Sequence, residues 1–385
     1  MIIDELFRKV LRLFPTSRMI AFESHPDFTC NSYPVYLKLK EVLPSYTLVW
    51  LTRNRYDHLP PDIKVVYVGA NQTIKEWFLR HWRLDRCRVI VSSNLYECKK
   101  RNNQLCLYLA HGSKTKKTRD LYENMGKLID YVNVQSHFFD DVASYEYNCK
   151  KEQLVYLGYP RCDCFFAEKR PDVRPFTQSE SQEQYIIWLP TFRTTRTGRV
   201  DAKSDMYGKM GMPIIFSIEK LEELNDFLRK KNIHILYKPH PAQDMTHVKS
   251  VKLSHFHFIS DRMIMDLGMQ PYEIIKGAVA LITDYSSVFF DYLLLDRPIA
   301  TTTDDLESWK RGRGFAFDIE KMYNQATVRV KDQDELLAFL NDVSHGIDRK
   351  KQGREQIRDI THMHVDGKST DRVVEFICKY LEEHF

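Results

Sequence analysis

Short apolar segments alternate with longer amphipathic segments along most of the chain, and this alternation constrains the fold more than any other feature. An apolar run bounded by turn residues predicts a buried strand, and strands separated by helical patterns predict a parallel α/β sheet. The predicted strands lie at 19–22, 47–51, 65–68, 89–92, 105–109, 131–134, 155–157, 185–189, 234–237, 256–259, 279–283 and 298–301. Predicted helices include 33–42, 74–82, 216–231, 272–276, 288–295 and 371–383.

The polar stretch 168–184 interrupts this pattern and contains two prolines, which is typical of a linker. A chain of 385 residues is long enough for two domains. We therefore expect one α/β domain at 1–167 and a second at 185–385. The helix at 371–383 is a candidate to cross back onto the first domain.

Composition points to a globular protein of a reducing compartment. Hydrophobic residues make up 43% and charged residues 28% of the chain. The sequence shows neither a bilayer-spanning apolar run nor a secretory signal, so we expect a cytoplasmic location. The eight cysteines are scattered without zinc-site spacing, which favours free thiols. The net charge of +5 suits an anionic partner but also suits an ordinary solvated surface.

The first fourteen residues predict a separate amphipathic helix. Apolar residues recur in it at helical spacing, with basic residues between them: Ile2, Ile3, Leu6, Phe7, Val10, Leu11 and Phe14, with Arg8, Lys9 and Arg12. Such a helix can lie in a lipid interface with its basic residues near anionic headgroups. The alternative is a helix packed on its own domain.

In the second half, polar residues follow three predicted strands. Arg193 follows 185–189, Lys238 and His240 follow 234–237, and the sequence TDYSS opens a helix after 279–283. Ligands of open α/β sheets bind beyond the carboxyl ends of the strands. Arginine, lysine, histidine and hydroxyl groups at a helix start would together hold a diphosphate. Ordinary helix capping also explains the serines.

In the first half, His111 and Gly112 follow the strand at 105–109 and precede a lysine-rich run. Histidine suits general-base chemistry near neutral pH, and glycine allows a substrate to approach the backbone closely. A basic surface loop is the alternative. Further on, Arg161 in the sequence GYPRCD could face a phosphate or pair with Asp163, and a structural role is the simpler interpretation.

Several classes of enzyme are disfavoured. Neither the three-glycine dinucleotide fingerprint nor the P-loop pattern occurs in the sequence, which argues against NAD enzymes and P-loop ATPases. The acidic pairs 140–141 and 304–305 lie in predicted surface segments, so they predict no metal site. We expect no cofactor and no nucleic-acid partner.

Five segments in order resemble one family: HGSKTK, LGYPRCD, LPTFR, YKPHP and LITDYSSVFFDYLLLDRPI. They are similar to the CDP-glycerol:poly(glycerol phosphate) glycerophosphotransferases, which comprise teichoic-acid primases and polymerases and their capsule-building relatives. The resemblance covers residues 105–300. It implies a GT-B-like fold, in which two Rossmann-type domains present parallel sheets across a cleft that holds the donor. It also implies a peripheral location on the inner face of the cell membrane.

The resemblance implies roles for individual residues. His111 matches the base that acts on the acceptor hydroxyl, and His240 matches a second catalytic histidine near the donor diphosphate. The other matched positions would bind substrate or donor: Gly112, Lys116, Arg193, Lys238, Asp284, Ser286, Ser287 and Asp291. Ser113 and Lys114 stand where the family has Thr-Pro, which leaves the acceptor and the polyol open.

The implied reaction transfers glycerol phosphate from CDP-glycerol to a hydroxyl of a lipid-linked or polymeric acceptor and releases CMP, in teichoic-acid or capsule synthesis. One alternative is a CDP-ribitol or other CDP-polyol donor. Another is a GT-B glycosyltransferase, which would release a nucleoside diphosphate from a nucleotide sugar. A non-catalytic scaffold of envelope assembly would bind the donor without turnover.

Overall fold

The structure is a computed structural model of the chain. It describes residues 2–56, 59, 62–95, 97–117, 124–181, 183–192, 210–241, 243, 245, 251–312 and 314–385, with only the backbone for 2–5. The chain divides into two compact units. Unit 1 comprises Met1–Ser113, Arg119–Phe166 and His362–Phe385, and unit 2 comprises Lys114–Thr118 and Ala167–Thr361.

Unit 1 is built on a parallel sheet. Its strands are β1 (Met19–Glu23), β2 (Thr47–Thr52), β3 (Lys64–Tyr67), β4 (Val89–Ser92), β5 (Leu105–Tyr108), β6 (Tyr131–Asn133) and β7 (Leu154–Val155). Their order in the sheet is β3-β2-β1-β4-β5-β6-β7. The order reverses between β1 and β4, and such a reversal is where doubly wound folds place their ligands. The helices are α1 (Ile2–Leu11), α2 (Ser32–Val42), α3 (Ile74–Leu84), α4 (Met125–Leu128), α5 (Asp140–Tyr147) and α15 (Ser369–His384).

The C-terminal helix α15 completes the core of unit 1. One stripe of α15 is buried in the same apolar cluster as the central strands: Val373, Val374, Ile377 and Leu381. The carboxylate of Asp163 caps its amino end, accepting hydrogen bonds from the backbone N–H of Ser369 at 2.9 Å and of Thr370 at 2.6 Å. The apolar stripe explains why residues 362–385 belong to unit 1 rather than to the predicted second domain.

Unit 2 is also a parallel α/β unit. Its strands are β8 (Tyr185–Leu189), β9 (His234–Tyr237), β10 (Phe256–Phe258), β11 (Ala280–Thr283), β12 (Ile299–Thr302) and β13 (Val328–Val330), in the order β10-β9-β8-β11-β12-β13. The order reverses between β8 and β11. The helices are α6 (Arg174–Thr177), α7 (Ile218–Lys231), α8 (Asp261–Asp266), α9 (Pro271–Gly277), α10 (Val288–Leu293), α11 (Leu306–Gly312), α12 (Ile319–Ala326), α13 (Gln333–Ser344) and α14 (Lys351–Thr361).

Each predicted strand overlaps a strand of the structure, and β13 is additional. The division into units differs from the predicted domains at the stretch 168–184. The structure includes it in unit 2, because Val173 and Phe176 are buried there and α6 forms within it. Within the described part of the chain, none of the helices has both the length and the hydropathy to cross a bilayer.

Two glycines test how closely α15 packs. Gly158 has φ +74°, and a Cβ there would lie 2.4 Å from Ser369 Oγ, whereas Gly268 has φ +72° and nothing within 4 Å. Gly268→Ala should lose about 1–2 kcal/mol from backbone strain alone. Gly158→Ala should lose more, because the methyl group also displaces the start of α15. Urea unfolding of both variants measures the difference, and equal losses would contradict this packing.

Candidate active site

The predicted base, His111, lies on a strained turn at the carboxyl end of β5. It is exposed, and Ala110 before it has φ +60°, a left-handed conformation that a non-glycine residue adopts only with support. The buried Asn31 supplies that support. Its Nδ2 donates to the carbonyl oxygens of Leu109 at 3.2 Å and Ala110 at 2.8 Å, and its Oδ1 accepts from the backbone N–H of Arg161 at 3.2 Å.

Cys30 is the side-chain partner of the His111 ring. Its Sγ lies 3.4 Å from His111 Nδ1. Arg161 Nη1 donates to the same sulfur at 3.3 Å and also to the carbonyl oxygen of His111. Arg161 therefore takes a supporting role beneath the histidine. Cys30 and Asn31 belong to the loop after β1, which sequence reasoning did not select because no motif marks it.

The charge balance around Cys30 favours a thiolate. Burial raises the pKa of the thiol, but Arg161 and His111 lower it by charge and hydrogen bonding, and the pKa falls to about 6. The thiolate form is therefore favoured, and it can accept a hydrogen bond from Nδ1–H of His111. When the neutral imidazole carries its proton on Nδ1, its lone pair lies on Nε2.

Ser113, which follows His111 and Gly112, has a structural role. Ser113 is buried and donates to Gln135 Oε1, and Gln135 Nε2 lies 3.0 Å from His362 Nε2. A hydroxyl at this position therefore ties the loop after β5 to the loop after β6. Gly112 is partly exposed beside it, and its role toward substrate stays a prediction.

The lysines of the same motif belong to unit 2. Lys116 forms an isolated antiparallel bridge with Phe315, and its Nζ lies 5.0 Å from the centre of the Trp309 ring. Thr115 Oγ1 lies 3.5 Å from the carbonyl oxygen of Tyr285. Lys116 thus lies on the segment that runs beside the TDYSS sequence of unit 2.

A buried carboxylate joins two of the unit 2 motifs where the strand order reverses. Asp284, after β11, is fully buried. It accepts from the backbone N–H of Thr191 at 3.0 and 2.9 Å and from its hydroxyl at 2.9 Å. In addition, Thr283 Oγ1 donates to the carbonyl oxygen of Leu189 at 2.7 Å. The loop after β8 is therefore held against the start of the TDYSS segment.

The TDYSS segment separates into a buried part and an accessible part. Tyr285 is buried and donates to Asp305 Oδ1 at 2.9 Å, and Tyr323 donates to the carbonyl oxygen of Asp284 at 2.7 Å. Ser286 and Ser287 remain partly exposed. Ser287 occupies the N-cap position of α10, but its side chain makes no capping hydrogen bond. Its hydroxyl is therefore not explained by ordinary capping.

Asp291 is the second predicted carboxylate of this segment. It is fully buried on α10, and its Oδ2 accepts from the Tyr272 hydroxyl at 2.6 Å. Both Asp284 and Asp291 thus lie among protein donors, an arrangement that fits positioning of the neighbouring serines. Direct contact of these carboxylates with a donor stays a prediction.

The YKPHP segment follows β9 and lies next to the loop after β8. His240 is exposed, and its ring centre lies 4.7 Å from that of Phe192. Lys238 Nζ pairs with Asp261 Oδ1 at 2.9 Å, so part of its charge is already neutralised. Arg193, which follows Phe192, lies outside the described residues. Within unit 2, His240, Thr191 and the two serines therefore all follow the carboxyl ends of neighbouring strands.

Comparison with known proteins agrees with the motifs. A sequence model described as CDP-Glycerol:Poly(glycerophosphate) glycerophosphotransferase matches residues 5–379. The teichoic acid ribitol-phosphate primase of Bacillus spizizenii is 25% identical and is aligned over 94% of this chain and 91% of its own length. The teichoic acid glycerol-phosphate transferase of Staphylococcus aureus is 22% identical, over 96% and 95%.

The fold is also known from experiment. The wall teichoic acid polymerase TagF superposes with a TM-score of 0.73 at 19% identity, covering 98% of this chain and 93% of that one. At this identity the similarity concerns the fold alone. The expected GT-B-like class, with two Rossmann-type parallel sheets, is confirmed.

The environment of Cys30 predicts unusual reactivity. We expect alkylation by iodoacetamide to reach half its maximal rate near pH 6, because the rate follows the thiolate fraction. Arg161→Met should move this midpoint to higher pH. Cys378 is an internal control, since burial and Glu382 raise its pKa. Peptide mass spectrometry across pH 5–10 (roughly the span of ordinary and lowered thiol pKa values) follows both thiols, and coincident profiles would contradict the proposed environment.

Proposed function

Because this chain belongs to the CDP-glycerol:poly(glycerophosphate) glycerophosphotransferases, we propose that it transfers glycerol phosphate from CDP-glycerol to an acceptor hydroxyl and releases CMP. The acceptor is a lipid-linked or polymeric chain of teichoic-acid or capsule type. The observation that carries this proposal is the exposed imidazole of His111, whose inner nitrogen is held by Cys30 at 3.4 Å. Such an imidazole is oriented to accept a proton on its outer nitrogen.

His111 acts as the general base. Its Nε2 takes the proton of the acceptor hydroxyl as that oxygen attacks the phosphorus that bears glycerol. The bond from this phosphorus to the bridging oxygen breaks, and CMP leaves with the negative charge. The thiolate of Cys30 stabilises the imidazolium that forms, in the manner of a carboxylate behind a catalytic histidine.

The edge of unit 2 supplies the electrostatic part of the reaction. Phosphoryl transfer depends mainly on positioning and on stabilising charge at the leaving oxygen. His240 and the hydroxyls of Ser286 and Ser287 are accessible groups at the carboxyl edge of the sheet. We assign them, with Lys116 and the predicted Arg193, to the diphosphate of the donor. Asp284 and Asp291 hold this edge in place.

A CDP-ribitol donor is the second candidate. Its support is the 25% identity to a ribitol-phosphate primase, beside the 22% identity to a glycerol-phosphate transferase. A glycosyltransferase reaction is a weaker alternative, and it would release a nucleoside diphosphate instead of CMP. The nucleotide product and the preferred polyol therefore distinguish all three.

The direct test is nucleotide release from CDP-glycerol and from CDP-ribitol, with a lipid-linked acceptor. We expect CMP from CDP-glycerol. His111→Ala should lower the rate about 10²–10⁴-fold, because the acceptor proton loses its base. His137→Ala is the matched control, since His137 is an exposed histidine of the same unit that pairs with Asp140.

Each outcome of this test is decisive. CMP from CDP-ribitol alone would transfer the assignment to the ribitol donor. Release of CDP or UDP from a nucleotide sugar would replace the phosphotransferase by a glycosyltransferase. If His111→Ala kept the wild-type rate, another group would be the base.

The helix α1 supports attachment to a membrane surface. Phe7 packs on Trp77 with ring centres 5.0 Å apart, and Leu11 is buried, so one side of α1 is anchored on α3. Leu6 on α1 and Leu13 just beyond it are solvent-exposed, with 65% and 82% of their surface accessible. Ile74 on α3 is 88% exposed. Lys9 on α1 and Arg12 just beyond it are exposed as well, and exposed apolar side chains near basic ones are what an anionic lipid surface binds.

Vesicle binding tests this surface. Leu6→Glu combined with Leu13→Glu should weaken binding to anionic phosphatidylglycerol vesicles at least tenfold, because each leucine buries apolar area worth roughly 1.5–3 kcal/mol. Leu37→Glu is the control, since Leu37 is an exposed leucine on a different helix, α2. Unchanged cosedimentation of the double variant would leave α1 as a helix that only packs on its own unit.

A further inference from the structure

A cluster of two histidines and a glutamate lies at the amino ends of three strands of unit 2, whereas the serines and His240 lie at the carboxyl ends. Glu183 precedes β8, His234 is the first residue of β9, and His255 precedes β10. These strands are neighbours in the order β10-β9-β8, and the register pairs Tyr185 with His234. One ligand atom from each of Glu183, His234 and His255 lies within 4.8 Å of the other two.

The backbone holds the three positions side by side. The N–H of His234 donates to the carbonyl oxygen of Gln184 at 3.0 Å, and the N–H of Ile235 donates to that of His255 at 2.8 Å. The N–H of His255 donates to Asn225 Oδ1 at 2.8 Å. The backbone hydrogen bonds between the strands therefore continue as far as these three residues.

In each of the three side chains, the second polar atom already has a hydrogen-bonding partner. Nδ1 of His234 lies 2.8 Å from Nε2 of His257, and Nδ1 of His255 lies 2.9 Å from Ser254 Oγ. Glu183 Oε1 accepts from Ser179 Oγ at 2.8 Å. Metal-binding histidines and carboxylates are oriented by partners of this kind on their second atom. The other oxygen of Glu183 contacts His234 Nε2 directly.

We propose that Glu183, His234 and His255 bind one divalent transition-metal ion of the zinc class. Two imidazoles and a carboxylate are a donor set that Zn²⁺ uses, with water as a fourth ligand. The ion would tie together the amino ends of three adjacent strands and so stabilise unit 2. This site is separate from the proposed transfer reaction and does not depend on it.

A metal ion competes with a proton at this cluster. Glu183 Oε2 and His234 Nε2 are in direct contact, and an ion bound to both atoms would displace the proton between them. Because metal ligation requires deprotonated ligand atoms, affinity should fall as the pH decreases.

The side chains must rearrange around the ion. Their ligand atoms lie within 4.8 Å of one another, whereas tetrahedral Zn²⁺ brings ligand atoms to about 3.3 Å. The nearly parallel rings of His234 and His255 would also have to tilt toward a common point. Glu183 and His255 both lie just outside their strands, and their side chains would rotate toward the ion while the backbone stays in place. The buried His234 would be the fixed ligand.

The test uses the full chain produced without a polyhistidine tag, stripped with chelator and dialysed against Zn²⁺. We expect one equivalent of zinc by elemental analysis and a rise in Tm on zinc addition, because the ion binds only the folded state. His255→Ala and Glu183→Gln each remove a direct ligand, so they should weaken zinc binding by more than the roughly 10–100-fold that loss of an orienting partner causes, and they should remove the Tm shift. His345→Ala, at an exposed histidine of the same unit, should leave both unchanged.

Replacement of zinc by Co²⁺ separates this site from the eight cysteines. Cobalt bound by nitrogen and oxygen should show visible d–d bands without the intense ultraviolet thiolate band. Zinc-free Tm values of the variants show whether they fold. Absence of bound zinc in the wild type, a thiolate spectrum, or full binding by folded His255→Ala would each overturn the proposal.

Discussion

In each sheet, a buried carboxylate joins two neighbouring chain segments at the point where the strand order reverses. In unit 2 this is Asp284, which receives Thr191. In unit 1, Glu23 at the end of β1 accepts from the backbone N–H of Asn94 at 3.0 Å and Leu95 at 2.6 Å. A buried carboxyl group is tolerated only when its oxygens are hydrogen-bonded, so breaking these contacts carries a large penalty. The carboxylates therefore hold the carboxyl ends of the central strands and the adjoining loops in place.

Much of the fold could be predicted because the central strands are apolar at almost every position, as in β5, β8 and β11. Because the carboxyl ends of parallel strands lie on the same side of a sheet, the polar residues that follow the predicted strands could also be assigned to that side. β13 could not be predicted, because its three residues Val-Arg-Val carry too little periodicity. The membership of 114–118 in unit 2 depends on tertiary contacts with distant residues such as Phe315, which no local pattern reveals.

The candidate site was predictable by position and only partly by role. Asp284 and Asp291 are buried, whereas Ser286 and Ser287 are accessible. This difference could not be predicted from the sequence, because the direction of each side chain depends on how the start of α10 packs. Cys30 was missed because 81 residues separate it from His111, and a loop cysteine carries no motif. The environment of His111, the candidate base, thus depends on Cys30, which only the tertiary fold brings close to it.

The discontinuity of the two units has a consequence for biosynthesis. Unit 1 needs α15 to cover its central strands with Val373, Ile377 and their neighbours. Ribosomal synthesis delivers the amino-terminal strands first, whereas α15 is translated only after the strands and helices of unit 2. The core of unit 1 therefore stays open while unit 2 is being made, and a gene fragment that stops at residue 361 encodes an incomplete core.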